Sequence, residues 1–123
     1  MLKRFLSRGG FLVAVLLCAS AAGAQTFSGK YDSSAGEDIR TLEILKLEDD
    51  SYRFHLLVKK PGCAGEIEGI AMFSNQDELG YSGEDCQKLL LKLQGKQIVV
   101  SEENCLFHGA LCDFAGTYTQ LKE

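Results

Sequence analysis

Beyond residue 24, apolar and polar residues alternate in short runs, and no helical spacing of apolar residues persists anywhere. Alternation puts every second side chain on one face of an extended strand, whereas a helix needs apolar residues at i, i+3, i+4 and i+7. Tyr52, Phe54, Leu56 and Val58 share one face of a run over Ser51–Lys60, with Arg53, His55, Leu57 and Lys59 opposite. Leu89, Leu91 and Leu93 alternate with Lys88, Leu90 and Lys92, and Ile98 and Val100 repeat the pattern. Turn residues separate the runs: Glu48-Asp49-Asp50, Pro61-Gly62, Ser74-Asn75-Gln76-Asp77, Gly83-Glu84-Asp85, Gln94-Gly95 and His108-Gly109. Short strands with turns every 8–12 residues or so describe an antiparallel meander. The best helical competitor, residues 41–47, has strand-like neighbours and is read as a strand. The expected strands are 26–31, 39–47, 51–60, 63–73, 78–82, 86–93, 96–102 and 112–120. The fold class is therefore all-β, a small antiparallel up-and-down barrel of about eight strands.

The first 24 residues differ from the rest. Lys3, Arg4 and Arg8 precede the apolar run Phe11-Leu12-Val13-Ala14-Val15-Leu16-Leu17, and small residues ending in Ala22-Gly23-Ala24 follow. This is the layout of a cleaved secretory signal over residues 1–24, with one domain over 25–123. The apolar run is shorter than the roughly 20 residues that span a bilayer. Leu17 stands before Cys18, where a lipoprotein signal carries a small residue. Cleavage after Ala24 leaves Cys63, Cys86, Cys105 and Cys112. Four cysteines in a short exported chain read as two disulfides. A metal site calls for closer ligand spacing than Cys105-x6-Cys112 offers. No cofactor or metal is expected, and the compartment is the periplasm or the exterior.

Two pentapeptides echo each other: Phe27-Ser28-Gly29-Lys30-Tyr31 and Phe114-Ala115-Gly116-Thr117-Tyr118. Phe, Gly and Tyr fall on one face of a strand, and pairing of the first and last strands would close the barrel and remove two edges. Alternate turns of a meander lie at the same end, which gathers all four cysteines at one pole. Cys63–Cys86 with Cys105–Cys112 needs the shortest loops and ranks first. The rival is Cys86–Cys105 with Cys63–Cys112, because a turn at Gln94-Gly95 brings 86 and 105 roughly opposite.

Catalytic chemistry finds little support. No nucleophile-elbow, zinc-protease, phosphate-loop or dinucleotide motif occurs. His55 reads as a surface residue, Glu66 and Glu68 as a solvated strand face, and Glu48-Asp49-Asp50 as a polar turn rather than a calcium loop. His108 lies in the loop between Cys105 and Cys112. Without residues 1–24, which hold three bases and no acid, ten basic residues face seventeen acids, a net charge of −7. That balance disfavours nucleic acid and favours a basic partner.

Ser82-Gly83 stands before Glu84-Asp85-Cys86, with Lys88 close by. In size and general build the chain resembles the small periplasmic β-barrel inhibitors of c-type lysozyme of Gram-negative bacteria. Those inhibitors reach the enzyme's active site with a Ser-Gly loop followed by an aromatic, and with a nearby lysine. The dipeptide matches here and the following aromatic does not. The resemblance implies a non-enzymatic binding module, an inhibitor or immunity-type protein whose partner is a basic, lysozyme-like wall hydrolase. On that resemblance Ser82 and Gly83 are the first contact candidates and Lys88 the third; the strand map and the acidic charge, not the resemblance, add Glu84 and Asp85 from the same turn and Phe107 and His108 from the second loop at the same pole. A calycin-like carrier of a small apolar ligand and an envelope-associated structural protein are the alternatives.

Overall fold

A computed structural model describes residues 26–84, 86–106 and 112–122. The expected signal segment, Cys18, Asp85, Phe107 and His108 lie outside those residues. Eight antiparallel strands follow one another: β1 Gly29–Asp32, β2 Ile39–Lys46, β3 Ser51–Lys60, β4 Cys63–Asn75, β5 Glu78–Gly83, β6 Cys86–Gln94, β7 Gln97–Cys105 and β8 Gly116–Gln120. Each pairs with the next, and β8 returns to β1, so the sheet is a closed barrel. The all-β reading and the closure hold. The end strands are shorter than expected, because β1 begins at Gly29 and β8 at Gly116, after the phenylalanine of each pentapeptide.

Alternation decides which side chains face inward. Tyr52, Phe54, Leu56 and Val58 of β3 are buried, and so are Leu42 and Ile44 of β2, Leu89 and Leu91 of β6, and Ile98 and Val100 of β7. Phe54, Phe114 and Tyr118 are wholly buried. Side chains thus fill the barrel interior, as small eight-stranded barrels commonly arrange. Residues 41–46 extend as part of β2 instead of coiling, since Leu42 and Ile44 face the core across from Leu56 and Phe54.

The two poles are secured differently. The lower pole, which carries the β2–β3, β4–β5 and β6–β7 turns, is closed by three rings in edge contact. Phe27, Tyr52 and Phe73 have centroids 5.5, 5.9 and 5.7 Å apart. The upper pole carries the disulfides, and there the first-ranked pairing is corrected. The bonds are Cys86–Cys105 and Cys63–Cys112. Gln94 and Gln97 close the β6–β7 turn, and the same register sets Cys86 directly across from Cys105. The shorter-loop pairing fails on distance, because β5 lies between β4 and β6. β5 joins β4 only from Met72 onward and reaches Cys86 through Gly83, so Cys63 is displaced from Cys86 along the strands as well as across them, beyond the roughly 7 Å between Cα atoms that a disulfide tolerates. Cys63 and Cys112 have Cα atoms 6.2 Å apart, and their bond ties β4 to the chain entering β8, on the far side of the ring. Two disulfides suit an oxidising, extracytoplasmic compartment. No helix among the described residues is long and apolar enough to cross a membrane.

Candidate functional site at the disulfide pole

The β5–β6 turn stands at this pole. Ser82, Gly83 and Glu84 are all exposed, and Gly83 pairs with Cys86 where the turn closes. The Cys86–Cys105 bond therefore anchors the base of the turn to β7. A register shift between Tyr81 and Gly83 sets Ser82 opposite both Gln87 and Lys88. Such a bulge re-aims side chains at a barrel rim. Lys88 is exposed, across from Glu103 on β7.

Gly83 has a packing reason of its own. The Tyr81 hydroxyl lies 2.6 Å from the point a Gly83 Cβ would occupy, and the Tyr81 ring lies 2.6 Å from the corresponding point at Gly69. The same ring meets Phe54 edge-on at 5.2 Å. An aromatic residue thus accompanies the Ser-Gly pair, but it precedes the pair and turns into the barrel.

Below the turn, Gly80 sits between Met72 on β4 and Leu90 on β6. Without a side chain at Gly80 the outer face sinks into a groove of about 390 Å³, lined also by Tyr81, Ser82 and Lys88. Ser82 and Lys88 therefore share one depression. Asp85, Phe107 and His108 fall outside the described residues, and the expected patch is described only through Ser82, Gly83 and Glu84.

Arg40 escaped the sequence reading. It lies in phase with Leu42 and Ile44 and points inward, its side chain 13% exposed. Its guanidinium donates to both Asp38 carboxylate oxygens at 3.1 and 3.2 Å, and to the carbonyls of Asp113 at 2.9 Å and Ala115 at 3.3 Å. Its positive charge also acts on the Tyr118 phenol. β1 stops at Asp32, opposite Thr119, so the chain leading into β8 has no strand beside it on that flank. Arg40 supplies the donors that a longer β1 would have supplied. Burial pushes the Tyr118 hydroxyl up to about 12, against the opposing pull of Arg40. The signal was available: one cation on the apolar phase of a strand. Glu102 receives the backbone N–H of Phe114 at 2.8 Å, a second brace on the same segment.

His55 occupies the outer face in a row of polar side chains running across four strands, Lys30, Glu43, His55 and Glu68. Its Nε2 meets Glu66 at 2.5 Å. Sequence placed these groups outward but not in contact, because the pair is diagonal across the β3–β4 register. Among the described residues no cluster of three or more His, Cys, Asp or Glu could hold a metal ion. No protein-family model matches the chain, and comparison with curated proteins and with solved structures gives no match either.

Proposed function

We propose that this protein is a periplasmic binding module that inhibits, or confers immunity to, a basic cell-wall hydrolase of the lysozyme type. The observation that carries this reading is the exposed Ser82-Gly83-Glu84 turn, fastened at its base by Cys86–Cys105 and mounted on a barrel with a filled interior. Function commonly resides in a loop held by a rigid scaffold, and a rigid loop loses little entropy on binding. The net charge of −7 over residues 25–123 steers a basic partner towards it. The filled interior speaks against the carrier alternative, since Tyr31, Phe54, Phe114 and Tyr118 occupy the space a ligand would need. The test is a lysozyme-activity assay with purified residues 25–123 at low and moderate salt. Inhibition, weakening as salt rises, is expected for at least one of the c-, g- and i-type enzymes. Absence of inhibition of all three at micromolar protein overturns the reading.

A further inference from the structure

The barrel is closed around its circumference, but not along its full height. Residues 63–72 of β4 are in register with β3, whereas pairing with β5 involves only Met72, Phe73 and Asn75. From Cys63 to Ala71, then, β4 has a register partner on one side alone among the described residues. The turn geometry says which backbone groups this leaves over. Lys60 and Cys63 close a two-residue turn at Pro61-Gly62, and closing pairs of such turns are hydrogen-bonded. Alternation then directs the N–H and C=O of Cys63, Gly65 and Ile67 towards β3. Those of Ala64, Glu66 and Glu68 point to the open flank. The other short seam, beside β8, is filled by Arg40. No described side chain bonds the backbone of Ala64, Glu66 or Glu68 in that way.

We propose that this flank of β4 accepts an extended, basic segment of a partner protein as an added strand. Unpaired edge groups are a template for strand addition, in which backbone bonds give affinity and alternate side chains give selectivity. The side chains fix the occupant's charge. Ala64, Glu66 and Glu68 are all exposed, and Glu68 makes no ion pair among the described residues. Glu84, at the end of the neighbouring turn, makes none either. Two copies of this chain joined through the flank would set Glu66 and Glu68 against their counterparts, and like charges across a sheet repel. A strand with Lys or Arg at two alternate positions gains a pair at Glu68 and shares Glu66 with His55. Lys59 and Lys60 at the turn confine the acidic stretch to the Glu66–Glu68 step. The inference adds a binding mode and takes from the proposed function only that the partner is a protein.

The probe is a blocked hexapeptide alternating Lys and Val, read by residue-resolved amide exchange. In the free protein the amides of Ala64, Glu66 and Glu68 should exchange about 100-fold faster than those of Gly65 and Ile67, as unbonded groups do. Saturating peptide should slow all three about tenfold or more. The same peptide N-methylated on alternate backbone amides should leave them fast, as should the native peptide with the E66K/E68K variant. Slow exchange of these amides in the free protein, or equal protection by the methylated peptide, overturns the inference. Inhibition of a lysozyme that leaves these amides unprotected in the complex overturns it too, while sparing the proposed function. Protection by the peptide with no enzyme inhibited does the reverse.

Discussion

The Tyr118 hydroxyl donates to the backbone carbonyl of Phe114, four residues back, at 2.9 Å. The first strand repeats the device, with Tyr31 donating to Phe27 at 2.8 Å. In both cases a glycine lies midway in an unusual conformation, φ +149° at Gly29 and +152° at Gly116. Each tyrosine ring rests on its glycine, 3.7 and 3.8 Å from the point a Cβ would occupy. The echo in the sequence is therefore one local fold used twice, at the two strands that meet to close the barrel.

Gly116→Val should lower the melting temperature more than Thr117→Val. The cause is backbone conformation and not crowding. A Cβ at 116 meets only ordinary contact, and the penalty comes from a φ that side chains with a β-carbon rarely adopt. Such strain costs about 1–3 kcal/mol. Equal melting temperatures would remove the conformational explanation.

The disulfides should separate by loop length. Cys63–Cys112 closes a sequence separation of 49 residues and Cys86–Cys105 one of 19. Chain-entropy scaling gives roughly 4 and 3 kcal/mol respectively. Paired serine variants, C63S/C112S and C86S/C105S, compared in denaturant should show the larger loss for the first. Peptide mapping without reductant should recover Cys63 with Cys112.

What was legible in the sequence was whatever repeats with period two. Tyr52, Phe54, Leu56 and Val58 declare a face, and the turn residues between runs declare the strand count. The disulfide pairing was legible only through register: counting outwards from Gln94-Gly95 puts Cys86 opposite Cys105, whereas ranking by loop length ignores the intervening strand. Arg40 was hidden because a cation reads as solvent-facing until its phase with Leu42 and Ile44 is checked. The open flank of β4 was not legible at all. It arises because the thirteen-residue β4 outruns the six-residue β5, and relative strand height in a barrel depends on stagger, which no local pattern encodes.

Arg40→Leu should destabilise the protein by about 1–3 kcal/mol, the loss of hydrogen bonds from a charged donor to a partly buried segment. The carbonyls of Asp113 and Ala115 lose a donor, and the Tyr118 phenol loses a neighbouring positive charge. Chemical denaturation of the variant checks this. A loss within measurement error would mean that water replaces the guanidinium freely.

Alkaline pH should reveal Tyr118. Its folded-state hydroxyl titrates near 12, against an ordinary value of 10.0, because burial disfavours the phenolate. The unfolded chain therefore releases this proton first as pH rises, and binds fewer protons than the native state between those values. Stability contributed by the neutral phenol is complete below pH 10 and is lost progressively towards 12. The denaturant midpoint should fall across that window, and Tyr118→Phe should flatten the fall.

Replacing Glu84 and Asp85 together with Ser should slow association with a basic hydrolase more than it speeds dissociation. Glu84 is exposed at the rim, and rim charges act mainly on encounter. Their pull also reaches only about 8 Å through physiological salt, so the wild-type association rate should drop with added salt and the variant's should drop less. Gly83 pairs with Cys86, which Cys86–Cys105 holds to β7, so the substitution should leave the melting temperature nearly unchanged. Stopped-flow association at two salt concentrations, beside a thermal melt, separates the two effects. A change confined to the dissociation rate would place Glu84 inside the contact and not at its rim.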